Sequence, residues 1–110
     1  MSAITNALIV CTYEDDKAIG EVNKYLHDIG TTRQQQFVKM DNAMAGGSKY
    51  PSMTCYQACF NHLPDDDITG AFSKAAWKYS HNLLIMESEL TGYWVYNENE
   101  LLYGKEADQR

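Results

Sequence analysis

The run Ala7-Leu8-Ile9-Val10-Cys11, finished by Thr12 and Tyr13, constrains this chain more than any other stretch. It is almost continuously apolar and rich in β-branched residues, and the acidic group Glu14-Asp15-Asp16 follows it at once. That order reads as a buried strand feeding a helix. A strand buried on both sides needs cover, and a chain of 110 residues has room for one core, which buries roughly 60–70% of the surface that the unfolded chain exposes. The expectation is a single α+β domain over residues 1–104, with a frayed polar tail from 105 to 110.

Read in order, Asp15-Asp16 opens a helix whose apolar positions Ile19, Val22, Leu26 and Ile29 recur at three- and four-residue steps. Gly30 stands where a left-handed residue closes such a helix. Gln36 to Met40 reads as a second strand, and strand, helix, strand over so short a stretch suggests a right-handed crossover and a parallel pair. Met53 to Leu63 can be read two ways. As a helix it gathers Met53, Tyr56, Cys59, Phe60 and Leu63 on one face, with Ser52 as its cap, and this reading is preferred because few of its residues favour strands. As a strand, it would turn the chain into βαββαβ, the ferredoxin-like order. Pro64 to Asp67 starts another helix, running to Trp77 with a stripe of Ile68, Ala71, Phe72 and Ala75. Leu83 to Met86 and Tyr93 to Tyr96 read as an antiparallel pair around Thr91-Gly92, and Leu101 to Tyr103 as a further weak strand. The fold expected is thus a mixed sheet of three to five strands covered by about three helices, Asp16–Ile29, Met53–Leu63 and Asp65–Trp77.

Charge narrows the function. The formal net charge is −6, and Arg33 and Arg110 carry the only guanidinium groups, so the long-range field repels phosphate and anionic lipid alike. Nucleic acid and membrane are disfavoured as partners. No apolar run approaches the ~20 residues of a spanning helix, no apolar leader precedes the first strand, and three cysteines cannot all pair within one chain. A cytoplasmic, reducing setting is expected.

Several motifs could carry chemistry. Gly46-Gly47-Ser48-Lys49, with Tyr50 beside it, has the makings of an anion cradle, since glycines let backbone N–H groups approach an anion and a lysine neutralises it. A phosphate loop, however, needs a longer glycine spacing and a helix at its end, whereas Pro51 follows here. Cys55, Cys59 and His62 would share one stripe of a helix, but a structural zinc site wants a fourth ligand, so no metal and no cofactor is assigned. Cys11 could act as a nucleophile beside His27, His62 or His81, yet an apolar strand makes a thiol inert. The carboxylates of 14–16 and 65–67 are accounted for by helix starts, and no catalytic residue is assigned. The chain holds eight Tyr, three Phe and two Trp, more than so small a core uses. Tyr93, Trp94, Tyr96 and Tyr103 are therefore the candidate interface.

The run Ala58-Cys59-Phe60-Asn61-His62-Leu63, the acidic helix start after it, and Trp77-Lys78-Tyr79 ahead of Leu83-Leu84-Ile85-Met86 resemble small uncharacterised accessory proteins of tailed bacteriophages. The likeness covers roughly half of the chain and carries no catalytic residue with it. It implies a virus-encoded factor at work in a host cytoplasm. Together these readings give a small acidic binding protein that engages a host or viral protein without catalysis. A nucleotide- or anion-binding protein or enzyme using Gly46–Lys49 is the alternative. A homo-oligomer in which the Tyr93–Tyr96 hairpin extends a neighbour's sheet is a third reading.

Overall fold

A computed structural model of the chain describes residues 4–31, 35–40, 53–61, 63–88, 91–97 and 100–106. The first apolar run becomes β1 (Ile4–Thr12), and a single 3-10 turn, Tyr13–Asp15, passes it into α1 (Asp16–Asp28). Then come β2 (Val38–Lys39), β3 (Met53–Asn61), α2 (Asp65–Lys74), β4 (Leu83–Ser88), β5 (Gly92–Asn97) and β6 (Glu100–Glu106). The strands form one sheet in the order β2-β3-β1-β4-β5-β6, and every neighbouring pair is antiparallel. The class is α+β, as the sequence suggested, and β1 does lie inside the sheet. β4 and β5 are antiparallel around Thr91-Gly92 as read.

Four expectations are corrected. Met53 to Asn61 is a strand, so the described residues hold two helices rather than about three, and the sheet has six strands rather than three to five. Its burial alternates with period two: Thr54, Tyr56, Ala58 and Phe60 point inward while Met53, Gln57, Cys59 and Asn61 are exposed. Residues of modest β propensity adopt the strand because β1 and β2 flank them on either side, and pairing on both edges outweighs intrinsic preference. The parallel pair is absent for the same reason: β3 inserts between β1 and β2 and is antiparallel to both. The second helix stops at Lys74, three residues short of Trp77, because Ala75 is already extended at ψ 148. Trp77 instead folds back, donating its indole N–H to the Phe72 carbonyl at 2.7 Å and tilting its ring onto Phe72.

The core lies between one face of the sheet and the two helices. Ala7, Ile9 and Cys11 of β1, Tyr56, Ala58 and Phe60 of β3, and Leu84 and Met86 of β4 meet Ile19, Val22 and Leu26 of α1 and Ile68 and Phe72 of α2. Each large side chain so enclosed contributes about 1.5–3 kcal/mol of transfer free energy. Ile29 was expected on this stripe but is 52% exposed at the helix end. There Gly30, at φ 108, carries the chain away and donates its N–H to the His27 carbonyl. The side-chain amide of Asn23 pins the start of β2 to α1, donating to the Phe37 carbonyl and accepting the Phe37 N–H at 2.8 Å. At the other edge β6 reaches Glu106, so Lys105 and Glu106 pair with Tyr93 and Gly92 rather than fraying.

Candidate functional site

Where α2 begins beside β5, the sheet end and the helix enclose a groove of about 440 Å³ lined by Thr5, Pro64, Asp65, Asp66, Ser88, Thr91, Trp94 and Tyr96 together with Leu63. Each wall has a local cause. Pro64 bends the chain into α2 and leaves three carboxylates in its first turn, where the helix dipole favours negative charge. Asp65 is held in place: its two carboxylate oxygens accept the Thr91 hydroxyl at 2.8 Å and the Thr5 hydroxyl at 3.3 Å. Neighbouring Asp66 is exposed. On β5, alternation places Trp94 and Tyr96 on the helix-facing side, opposite Met86 and Leu84 of β4, where both pack against the core. Gly104 of β6 lies opposite Trp94, and a Cβ there would come within 2.5 Å of the indole, so only glycine lets the ring lie flat over the edge strand.

The electrostatics of this groove are acidic and aromatic. The Tyr96 phenol is pushed above its ordinary pKa, first by burial and then by the negative charges of Asp65 and Asp66. The Trp94 indole N–H is buried without a hydrogen-bond partner among the described residues. Two carboxylates, two electron-rich rings and three hydroxyls can hold a cation and a neighbouring acceptor.

The sequence-predicted sites fare differently. Gly46, Gly47, Ser48, Lys49 and Tyr50 lie outside the described residues. Of the aromatic set, Trp94 and Tyr96 enter the groove, whereas Tyr93 and Tyr103, 55% and 56% exposed, occupy the opposite face of the sheet. The four therefore make two surfaces. Cys55 and Cys59, four residues apart on a strand, are separated by about 13 Å, and His62 lies outside the described residues. No group of three metal-binding side chains gathers among the described residues. Cys11 is fully buried, and its thiol is pushed up to about 12 by burial first and then by Asp15, Asp16 and Cys55. His27 and His81 are exposed.

Of the Glu14-Asp15-Asp16 carboxylates, read as helix caps, Asp15 takes the N-cap position of α1 but makes no side-chain cap bond there. Among the bonds these carboxylates do make are those to Lys78, Tyr79 and Tyr56. Glu14 takes the Lys78 ammonium and the Tyr79 hydroxyl, Asp16 takes the Tyr56 hydroxyl, and buried Asp15 accepts the backbone N–H groups of Lys78 at 2.9 Å and Tyr79 at 3.3 Å. The result is a strap joining the end of β1 to the connector before β4. The sequence signalled the groove only in pieces, an acidic helix start and a Thr-Gly turn, because Thr5 and Asp65 meet across 60 positions.

Thiol chemistry checks the Cys11 assignment. On the folded protein a thiol reagent is expected to modify exposed Cys59 first, half-buried Cys55 more slowly, and Cys11 only after unfolding. The unfolded Cys11 thiol ionises near 9.0 and the folded one not until about 12. The unfolded state therefore sheds its proton first, and stability falls across that window by about 1.4 kcal/mol per pH unit for this group. Denaturation titrations at rising pH should show that slope lessened in Cys11→Ala.

Comparison with protein-family models, with curated proteins and with solved structures finds no match to this chain.

Proposed function

We propose that this protein is a non-enzymatic binding protein that receives a positively charged group of a protein partner, an arginine or lysine side chain, in the groove between α2 and β5. One observation carries the reading: Asp65 and Asp66 share a single cavity with Trp94 and Tyr96. A cation over an aromatic face gains about 0.5–2 kcal/mol, more as water is excluded. Carboxylates at its flank add charge complementarity. The net charge of −6 steers basic surfaces toward the molecule and turns phosphate-rich ones away. Such a factor would suit the phage-encoded, cytoplasmic role that the sequence likeness implies. The partner would be a host or viral protein whose basic segment it masks. The architecture proposed for this role is a ferredoxin-like unit, β1-α1-β2-β3-α2-β4, lengthened by the β5-β6 hairpin. Its support is the strand order β2-β3-β1-β4 with antiparallel neighbours throughout.

Titration of isotope-labelled protein with an arginine-rich peptide, followed by NMR, tests the site. The expected result is shifts concentrated at the Trp94 indole N–H, Thr91 and Asp66, weakening as salt rises. Asp66→Asn should reduce affinity roughly two- to fivefold, corresponding to the loss of one screened charge contact. Equal binding of an acidic peptide, or shifts that leave Trp94 untouched, would refute the assignment.

A further inference from the structure

The face of the sheet away from the helices is apolar along a continuous row. Tyr103, Val95, Ile85, Leu8, Gln57 and Val38 stand directly opposite one another across all six strands. Beside it runs a second row, Leu83, Val10 and Cys55. Both helices pack on the other side, so these residues keep contact with solvent: Val38 is 58% exposed and Leu8, Ile85 and Val95 are half-buried. Neither row carries an acidic or basic side chain. The next row holds Glu87 and Lys105, opposite in sign, on either side of Tyr93. A chain of net charge −6 thus presents one face that carries little of its charge, Glu87 and Lys105 with Glu100 at the rim opposite Asn97, while the carboxylates of 14–16 and 65–67 belong to the helical side.

We infer that this face is the interface of a homodimer, two copies packing sheet against sheet. Charge selects the occupant. A basic partner or a nucleic acid finds only scattered charges of both signs here, Glu87 and Glu100 against Lys105, with no cluster of the opposite sign to hold it, whereas a second copy meets a face that carries little of the chain's net charge. Area is sufficient. The five longer strands, at about 4.8 Å spacing and about six residues each, offer roughly 500 Å² per copy before side-chain relief, and two copies together reach the ~1,000 Å² at which specific interfaces begin. Sheets that face one another pack about 10 Å apart with interdigitated apolar side chains, which the Leu8–Ile85 centre of this row supplies. Edge pairing through β6 is the poorer route. Val95 faces Tyr103 and Tyr96 faces Leu101, so Leu102 is bulged out of register, a feature that blunts an edge strand.

Sedimentation equilibrium of the full chain over a range of concentrations is the test. A species of twice the chain mass is expected, with Ile85→Lys raising its dissociation constant at least about tenfold while circular dichroism still reports a folded chain. Should that variant fail to fold, a mixture of spin-labelled and isotope-labelled wild-type protein decides. A label on Cys59 of one copy should broaden the Leu8 and Ile85 amides of the other. A monomer at every concentration overturns the inference. So does a dimer that survives Ile85→Lys but is dissociated by Leu102→Lys, which would place the contact on the edge.

Discussion

Replacing Phe60 with alanine is expected to cost about 3–5 kcal/mol of unfolding free energy, the range for deleting a buried aromatic ring and leaving a cavity. Phe60 is fully enclosed, lies opposite Thr5 of β1, and packs edge-on against Phe37 with ring centroids 5.6 Å apart. The residues around it are held by a sheet on one side and two helices on the other, so the space cannot collapse. Urea denaturation should show a lower midpoint at an unchanged slope. Cys59→Ala is the matched control. Its side chain faces solvent on the other side of the sheet, and the change should stay within about 0.5 kcal/mol. On a helix with both residues on the buried stripe, Cys59→Ala would also carry a measurable cost, so an unchanged Cys59→Ala beside a destabilised Phe60→Ala reports the alternation of a strand.

Asp15→Ala is expected to lose about 2–4 kcal/mol. The carboxylate is 2% exposed and accepts two backbone N–H groups, those of Lys78 and Tyr79. Alanine leaves both donors in a half-buried setting without their acceptor, at about 1–3 kcal/mol each when fully desolvated. Asp15→Asn keeps one acceptor oxygen and should fall between the two. Amide hydrogen exchange distinguishes this cause from general loosening: protection should drop most at Lys78 and Tyr79, while Ile9 and Phe60, in the paired centre of the sheet, change only by the global shift. Because the strap ties the end of β1 to the connector ahead of β4, its loss should leave the groove at the opposite end of β1 largely intact.

Local chemistry made part of this molecule legible. The β-branched run of β1, the three- and four-residue spacing of Ile19, Val22 and Leu26, and the Thr91-Gly92 turn all depend on neighbours within a few positions, and each element formed where its residues pointed. Met53 to Asn61 was misread because its helical and strand patterns score alike along the chain. Burial on alternate residues becomes visible only once two flanking strands exist. The candidate interface shows the same limit: Trp94 and Tyr103 are both aromatic, and only the register of β5 and β6 assigns them to opposite faces.

By itself, the sequence determined the class, a strand inside the sheet, the α1 stripe and the sign of the molecular field, since all four follow from composition and short-range periodicity. It overstated the burial of that strand, whose Leu8 and Val10 face stays half-open while Ala7, Ile9 and Cys11 are covered by the helices. Tertiary structure alone decided the strand order, the use of Asp15 as a strap rather than a cap, and the meeting of Asp65 with Thr5 and Trp94 in one groove. Those depend on contacts between distant positions, where packing energy chooses among pairings that local propensity leaves nearly equal.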